Sequence, residues 1–183
     1  MWSTYNGRLI KTLLHHSDVI TDIAIDNSNL YVAVGSKDKT VSLWEIKRLE
    51  LIAIFDNHAD EISKLEFANI QGISEPVLIS ASPDGIINIY EIYKIMKITK
   101  KGDNYNYKPT LQLGKEDRRK CDMGKIIRIS IHPHIPIIAV GNTTGIVYIW
   151  EFIVHHSVLK AEFKNFFQAH KKDCLLLEWS LSS

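Results

Sequence analysis

The sequence predicts an all-β protein built from repeated units of about four strands each. Of its 183 residues, 27 are isoleucine, a β-branched residue that favours strands over helices. Apolar and polar residues alternate over short stretches such as 19–25, which is the period of half-buried strands. Three stretches of the chain also align with one another without gaps, which indicates an internal repeat.

The composition is that of a globular protein. The chain is 45% apolar and 23% charged, and its net charge of +1 argues neither for nor against nucleic acid. Cys121 and Cys174 are too few for a disulfide framework or a four-cysteine zinc site. No apolar run approaches the ~20 residues of a membrane helix, and the first residues lack the pattern of a secretory signal. We therefore expect a soluble intracellular chain with no membrane contact.

The three aligned stretches are AVGSKDKTVSLWEI (33–46), LISASPDGIINIYEI (78–92) and AVGNTTGIVYIWEF (139–152). Each has one aromatic residue followed by glutamate: Trp44, Tyr90 and Trp150. Six residues before these aromatics lie, in order, Asp38, Asp84 and Thr144. The aromatics are 46 and 60 residues apart. The first spacing is close to one repeat of roughly 40–45 residues, and the second indicates an insertion.

Strands joined by turns account for each unit in order. The first unit, 8–46, contains RLIKTLL, VITDIAI, LYVAVGS and TVSLWEI. The second, 50–92, contains LELIAIF, EISKLEF, PVLISAS and IINIYEI, and the third, 126–152, contains IIRISIH, PIIAVGN and IVYIWEF. A partial unit, 158–180, offers VLKAEF and then CLLLEWS as the next first strand. Residues 93–97 predict one short helical turn, and a basic insertion covers 94–125.

This repeat pattern resembles the WD40 family of β-propellers over most of the chain. The resemblance implies that a blade is locked by a tetrad of His, Ser or Thr, Asp and Trp, because a buried His and Asp must satisfy each other. The second unit supplies His58, Ser80, Asp84 and, in place of Trp, Tyr90. The first unit supplies a partial tetrad of His16, Asp38 and Trp44.

Three positions in the first and third units depart from the tetrad pattern. Val34 stands where the first unit should carry its hydroxyl. In the third unit Val140 and Thr144 replace the hydroxyl and the aspartate, so only the aromatic Trp150 remains. We therefore expect a single WD40 region over 1–183 with one well-formed tetrad.

The units add up to about three and a half blades. A closed propeller needs at least ~4 blades, and an open arc leaves unpaired strand edges in water. The sequence therefore predicts a fragment of a longer propeller, a shortened gene model, or a chain completed by another protein.

The last third of the chain resembles the Extra sex combs / embryonic ectoderm development family of Polycomb proteins. Cys121-Asp122 before an isoleucine-rich strand and the stretch IAVGNTTGIVYIWEF carry this resemblance. It implies a scaffold subunit in the nucleus that binds a SET-domain methyltransferase and histone H3. Residues 7–67 match the bromodomain-containing WD proteins about as well, and the alternative is a generic WD40 adaptor in ubiquitination, trafficking or RNA processing.

The Polycomb family binds trimethyl-lysine in an aromatic cage, through the attraction of aromatic faces for quaternary ammonium. Gly124 and Lys125 stand at two of the positions that are aromatic in that family. Glycine offers no aromatic face, and lysine repels the cation. We therefore predict that the chain does not distinguish trimethylated from unmodified H3.

No other motif supplies chemistry. The histidines lack metal-ligand spacing, and the sequence has no phosphate loop or nucleophile elbow, so we expect neither a cofactor nor an enzyme. The insertion 94–125 carries ten Lys or Arg against four acids, a net of +6. We favour a solvated loop, and the alternative is an electrostatic contact with nucleic acid or an acidic protein through these cations: Lys100, Lys101, Arg118, Arg119 and Lys120.

Overall fold

The computed structural model describes residues 1–99, 107–114 and 123–179, except for the side chain of Thr99. Within these residues it contains one helix, α1 (Ile92–Thr99), and twelve strands. The strands are β1 (Ile20–Ile25), β2 (Tyr31–Ser36), β3 (Val41–Glu45), β4 (Glu50–Phe55), β5 (Lys64–Ala68), β6 (Val77–Ala81), β7 (Ile87–Glu91), β8 (Leu111–Leu113), β9 (Ile126–Ile131), β10 (Ile137–Asn142), β11 (Ile146–His155) and β12 (Val158–Gln168).

The strands form three antiparallel sheets of four, each in simple chain order. The first sheet is β1–β4, the second β5–β8 and the third β9–β12. This all-β architecture is consistent with a partial WD40 propeller of three blades. Trp44, Tyr90 and Trp150 lie on β3, β7 and β11, the third strand of each sheet, as the repeat predicts.

The sheets are offset by one strand from the repeat units of the sequence. The stretch ELIAIF opens the second unit, but as β4 it pairs with β3 and completes the first sheet. The stretch RLIKTLL would hold the corresponding place in the first unit, and it forms no strand apart from an isolated bridge between Leu9 and Trp2. It has no neighbouring sheet edge to pair with among the described residues.

The hydrophobic core lies between the sheets. Alternate residues of β6 face opposite neighbours: Leu78 packs in a cluster with the first sheet, while Val77 and Ile79 pack in a cluster with the third. All residues of β6 and β7 are consequently buried. The two clusters make the second sheet the centre of the structure, since it contributes to both of them.

The innermost strands of neighbouring sheets are joined by carboxylates. Asp22 on β1 accepts a hydrogen bond from the backbone N–H of Leu65. It also forms an ion pair with Lys64, at 3.0 Å. Glu66 on β5 accepts one from the N–H of Ile131 on β9 at 3.1 Å. Burial raises the pKa of Glu66 to about 7, against the effect of that hydrogen bond.

Gly145 shows why one tight turn needs glycine. It lies in the turn between β10 and β11 with φ at +77°, and a Cβ there would collide with the carbonyl oxygens of His170 and Lys172. The N–H of His170 donates to the Gly145 carbonyl at 3.0 Å. The close approach therefore anchors the chain that follows β12.

Two other predicted elements differ from the structure. The helical turn expected at 93–97 is the longer helix α1, in which Lys94 forms an ion pair with Glu91 at 2.7 Å. The first strand expected at 174–180 is not formed over the described part, 174–179, although these residues lie against the third sheet. No described strand runs beside them, so their backbone has no ladder to join. In the described residues no helix is long and apolar enough to cross a membrane.

Candidate functional site

A buried hydrogen-bond network closes the turn between β6 and β7. His58 donates from Nδ1 to Asp84 Oδ2 at 3.0 Å, and the Ser80 hydroxyl lies 2.8 Å from His58 Nε2. Asp84 also accepts the backbone N–H groups of Ala59 and Ile86, at 2.9 and 2.8 Å. The His58 and Asp84 side chains are only 2% and 6% exposed, so these bonds replace water at both groups.

Tyr90, the fourth predicted member, lies beside this network, and its hydroxyl donates to Asn57 Oδ1 at 3.0 Å. Burial raises the pKa of Tyr90, although the neighbouring side chains of Ser80 and Asn88 lower it. Asn88 is a member that the sequence pattern does not indicate. Its amide nitrogen lies 3.1 Å from His58 Nε2, and its carbonyl accepts a hydrogen bond from Gln112 at 2.6 Å.

The first sheet contains the same kind of network, but its hydroxyl comes from a different strand. His16 donates from Nδ1 to Asp38 Oδ2 at 2.9 Å, and its Nε2 lies 2.8 Å from the Ser42 hydroxyl. Trp44 completes the chain by donating its indole N–H to Ser42 Oγ at 2.9 Å. The partial tetrad predicted from His16, Asp38 and Trp44 is therefore complete, because Ser42 supplies the hydroxyl that Val34 lacks.

Strand pairing explains how Ser42 replaces a residue on another strand. Val34 on β2 is the direct antiparallel partner of Ser42 on β3, and in the second sheet Ser80 on β6 is the partner of Asn88 on β7. Directly opposed side chains lie on the same face of a sheet about 5 Å apart. Either strand can therefore bring a hydroxyl to the histidine, and a polar residue two positions before the aromatic is the sequence signal.

Both aspartates are held in the ionised form. Burial alone would raise the pKa of Asp38, but hydrogen bonds from Thr40, Ser17 and His16 lower it to about 2. The pKa of Asp84 likewise lies below its usual value, because the bonds from His58, Ala59 and Ile86 outweigh the effect of burial. An ionised acceptor at Nδ1 fixes the proton of each histidine on that nitrogen.

The third sheet has no such network in its described residues, and Asn142 closes its turn instead. The Asn142 side-chain oxygen accepts the N–H groups of Thr144 and Ile146, at 3.0 and 2.9 Å, and its amide donates to the Met123 carbonyl at 3.0 Å. Trp150 is 1% exposed and packs against Phe163 with ring centres 5.3 Å apart. A neutral amide and aromatic packing thus stand where the other two sheets use a histidine bonded to an aspartate.

The cage-equivalent residues lie beside a cleft between the second and third sheets. This cleft of ≈ 440 Å³ is lined by 83–85, Gly114 and 123–125. Gly124 and Lys125 are exposed, and the described lining includes no aromatic side chain. The cations Lys100, Lys101, Arg118, Arg119 and Lys120 lie outside the described residues, as do Cys121 and Asp122.

An apolar groove of ≈ 670 Å³ covers the outward face of the first sheet. Ile20 and Ile23 on β1 line it, together with Trp44 and parts of residues 1–16. Ile20 and Ile23 are 43% and 57% exposed, whereas Ile62 and Leu65, at the matching positions of the second sheet, are covered by the first sheet. Among the described residues, no group of three or more His, Cys, Asp or Glu side chains could hold a metal ion.

The fold and its His–Asp networks are similar to those expected of WD40 repeat proteins. Residues 7–45 match the family model described as WD domain, G-beta repeat. This match covers part of the chain, and the three sheets are consistent with a partial WD40 propeller.

Three relatives illustrate the range of similar proteins. Mitochondrial division protein 1 of Candida glabrata is 26% identical over 82% of this chain and 22% of its own length. A bromodomain and WD repeat-containing protein of Dictyostelium discoideum is 29% identical over 51% of this chain and 4% of its own. Eukaryotic translation initiation factor 3 subunit I of Saccharomyces cerevisiae is 28% identical over 50% of this chain and 26% of its own. The chain thus spans about a quarter or less of each relative, and none of the three supports the specific resemblance to the Extra sex combs family.

Proposed function

We propose that the chain is a non-catalytic WD40 scaffold that presents its turns to partner proteins. The observation that carries this proposal is the pair of buried networks at His16–Asp38 and His58–Asp84. Each network fixes the turn between the second and third strands of its sheet, while side chains such as Lys37 at the tip remain exposed. Rigid turns lose little conformational entropy on binding, which favours recognition by preformed loops.

Two more specific functions are candidates for this scaffold. The resemblance of 139–152 to the Polycomb pattern favours a nuclear subunit that binds a SET-domain methyltransferase and histone H3. The names of the relatives, which include a translation initiation factor subunit and a mitochondrial division protein, favour an adaptor of another assembly. The basic insertion adds a candidate contact with an acidic protein or with nucleic acid in either case.

Affinity capture with the full chain tests the scaffold proposal. The tagged chain and a variant with Lys37→Glu and Lys39→Glu, both in the β2–β3 turn, would be compared with a control variant, Lys171→Glu, which also changes an exposed lysine. We expect stoichiometric partners that the turn variant loses and the control retains. Recovery of a SET-domain protein favours the Polycomb candidate, and other assemblies favour the adaptor. The proposal is wrong if both variants retain every partner.

Fluorescence polarisation with H3 peptides tests histone binding separately. Because Gly124 and Lys125 provide no aromatic face, any affinity for H3 should be the same for trimethylated and unmodified peptides. A preference of about tenfold or more for the methylated peptide, ~1.4 kcal/mol, would contradict this expectation. Imaging of the tagged chain in cells tests the nuclear location.

A further inference from the structure

The first strands of the three sheets lie side by side, with β5 between β1 and β9. Each is the end strand of its sheet, so in the described part of the chain only one of its edges has a strand partner. Backbone N–H groups on the other edge need an acceptor from elsewhere when they leave water. A carboxylate of the preceding sheet supplies it at both junctions: Asp22 bonds to the N–H of Leu65, and Glu66 to that of Ile131.

The two junctions differ in charge. Asp22 forms an ion pair with Lys64 at 3.0 Å. Glu66 is part-buried, and within the described residues its side chain makes one hydrogen bond, to the N–H of Ile131 at 3.1 Å, and no ion pair. A carboxyl that is removed from water, with one donor and no bonded cation, favours its neutral form.

Few charges act on Glu66 from the strands packed around it. Asp22 on β1 opposes its ionisation and Lys64 on β5 favours it, but these two are already paired with each other. Arg128 on β9 directs its guanidinium to two backbone carbonyls. β6 carries no titratable side chain, and on β2 burial raises the pKa of Tyr31, which is therefore uncharged.

These surroundings set the protonation of Glu66. Burial has the largest effect on its pKa and raises it from 4.5 to about 7, although the bond from Ile131 and the charge of Lys64 lower it. Between these two values the folded chain binds a proton that the unfolded chain has lost. The stability that this proton confers is full below pH 4.5 and is lost as the pH rises through about 7.

We propose that Glu66 is a proton switch in the junction between the second and third sheets. With the proton in place the carboxyl is neutral, and its carbonyl oxygen still accepts the Ile131 N–H, so the junction keeps its bond without a buried charge. When the proton leaves, an ionised carboxylate without a bonded cation remains between the sheets, and the junction weakens. The inference goes beyond the scaffold proposal and does not depend on it.

The switch belongs to this junction alone among the three described sheets. Strand pairing places Ala24 of β1, Glu66 of β5 and Ser130 of β9 at corresponding positions, because each lies opposite the residue eleven positions before the aromatic of its sheet. Neither alanine nor serine titrates, so one substitution removes the switch.

Urea denaturation of the full chain at pH 5 and pH 8 tests the proposal. Glu66→Gln keeps an acceptor for the Ile131 N–H but cannot ionise. We expect the unfolding equilibrium constant of the wild type, divided by that of this variant, to rise by about tenfold or more from pH 5 to pH 8. Histidines titrate in both chains alike and cancel in this ratio. Glu50→Gln, which changes an exposed glutamate on β4, is the matched control and should retain the wild-type pH dependence.

NMR locates the effect at Glu66. Its side-chain carboxyl carbon, assigned by the loss of its signal in Glu66→Gln, should titrate near pH 7. The Ile131 amide should exchange faster in the wild type than in this variant at pH 8, by a larger factor than at pH 5. A Glu66 titration near pH 4.5, a stability ratio that does not change with pH, or the same change in Glu50→Gln would each overturn the proposal. So would an Ile131 exchange ratio that is equal at the two pH values.

Discussion

The second and third sheets have the same topology, but different groups close the turn between their second and third strands. In the second sheet a buried hydrogen bond between His58 and the ionised Asp84 ties the turn to the segment before β5. In the third sheet the single neutral side chain of Asn142 bonds the turn to itself and to Met123. This difference shows that strand pairing and inter-sheet packing set the geometry of the blade. The His–Asp network adds a stabilising contact that depends on pH.

Asp84→Ala should have the largest effect. It removes the acceptor of His58 Nδ1 and of two backbone N–H groups in a site with almost no water. Loss of one partner of a buried network costs about 2–4 kcal/mol of unfolding free energy. Urea denaturation measures this, with Asp60→Ala, an exposed aspartate, as the control. A loss equal to that of the control would show that the network does not stabilise the sheet.

Asn142→Ala should cost less, about 1–3 kcal/mol, because the lost acceptor is a neutral amide rather than an ionised carboxylate. The part-buried N–H groups of Thr144 and Ile146 would lose their acceptor. The same urea denaturation measures the loss of stability. If this variant were less stable than Asp84→Ala, the amide would stabilise its turn more than the His58–Asp84 hydrogen bond does.

Low pH should remove the part of the unfolding free energy that Asp38 contributes. The pKa of Asp38 is about 2 in the folded chain, below its usual value of 3.8, so between these values the unfolded chain binds more protons. Stability from Asp38 is therefore full above pH 4 and is lost as pH falls through about 2, amounting to about 2 kcal/mol or less. Thermal unfolding of wild type and Asp38→Asn between pH 2 and 5 should converge towards pH 2. Parallel curves would contradict the shift.

Ser42→Ala should destabilise the chain by about 1 kcal/mol more than Ser80→Ala. Ser42 is the only hydroxyl at His16 Nε2 and also accepts the Trp44 indole N–H. At His58 Nε2 the Asn88 amide remains after Ser80 is removed. Parallel urea titrations of the two variants measure the difference, and equal losses would show that Asn88 does not substitute for the hydroxyl.

Tyr90→Phe should have the smallest effect, about 0.5–1.5 kcal/mol, because only the bond to Asn57 is lost and the ring remains packed on Phe55. Thermal unfolding is sensitive enough to detect it. A loss as large as that for Asp84→Ala would place the hydroxyl inside the network.

Much of the fold could be predicted from the sequence, because strand alternation and the spacing of the three aromatics report local geometry directly. The resemblance to the WD40 family brought His58, Ser80 and Asp84 together in one prediction. Ser42 was missed because the family pattern assigns the hydroxyl to one strand, and only the register of β2 against β3 shows that the opposite residue reaches the same place. No strand forms at 174–179 because no neighbouring strand lies beside this segment among the described residues, and a local sequence pattern does not report such a neighbour.

The position of the core has a consequence for synthesis on the ribosome. Tyr31, Ala33 and Leu43 of the first sheet are buried in a cluster to which the second sheet and α1 contribute side chains. The first sheet therefore has no completed core until about residue 95 has been translated, and its nascent chain exposes this apolar face in the meantime. We expect compaction to begin only after the second sheet emerges, which force measurements on stalled ribosomes of increasing chain length can follow.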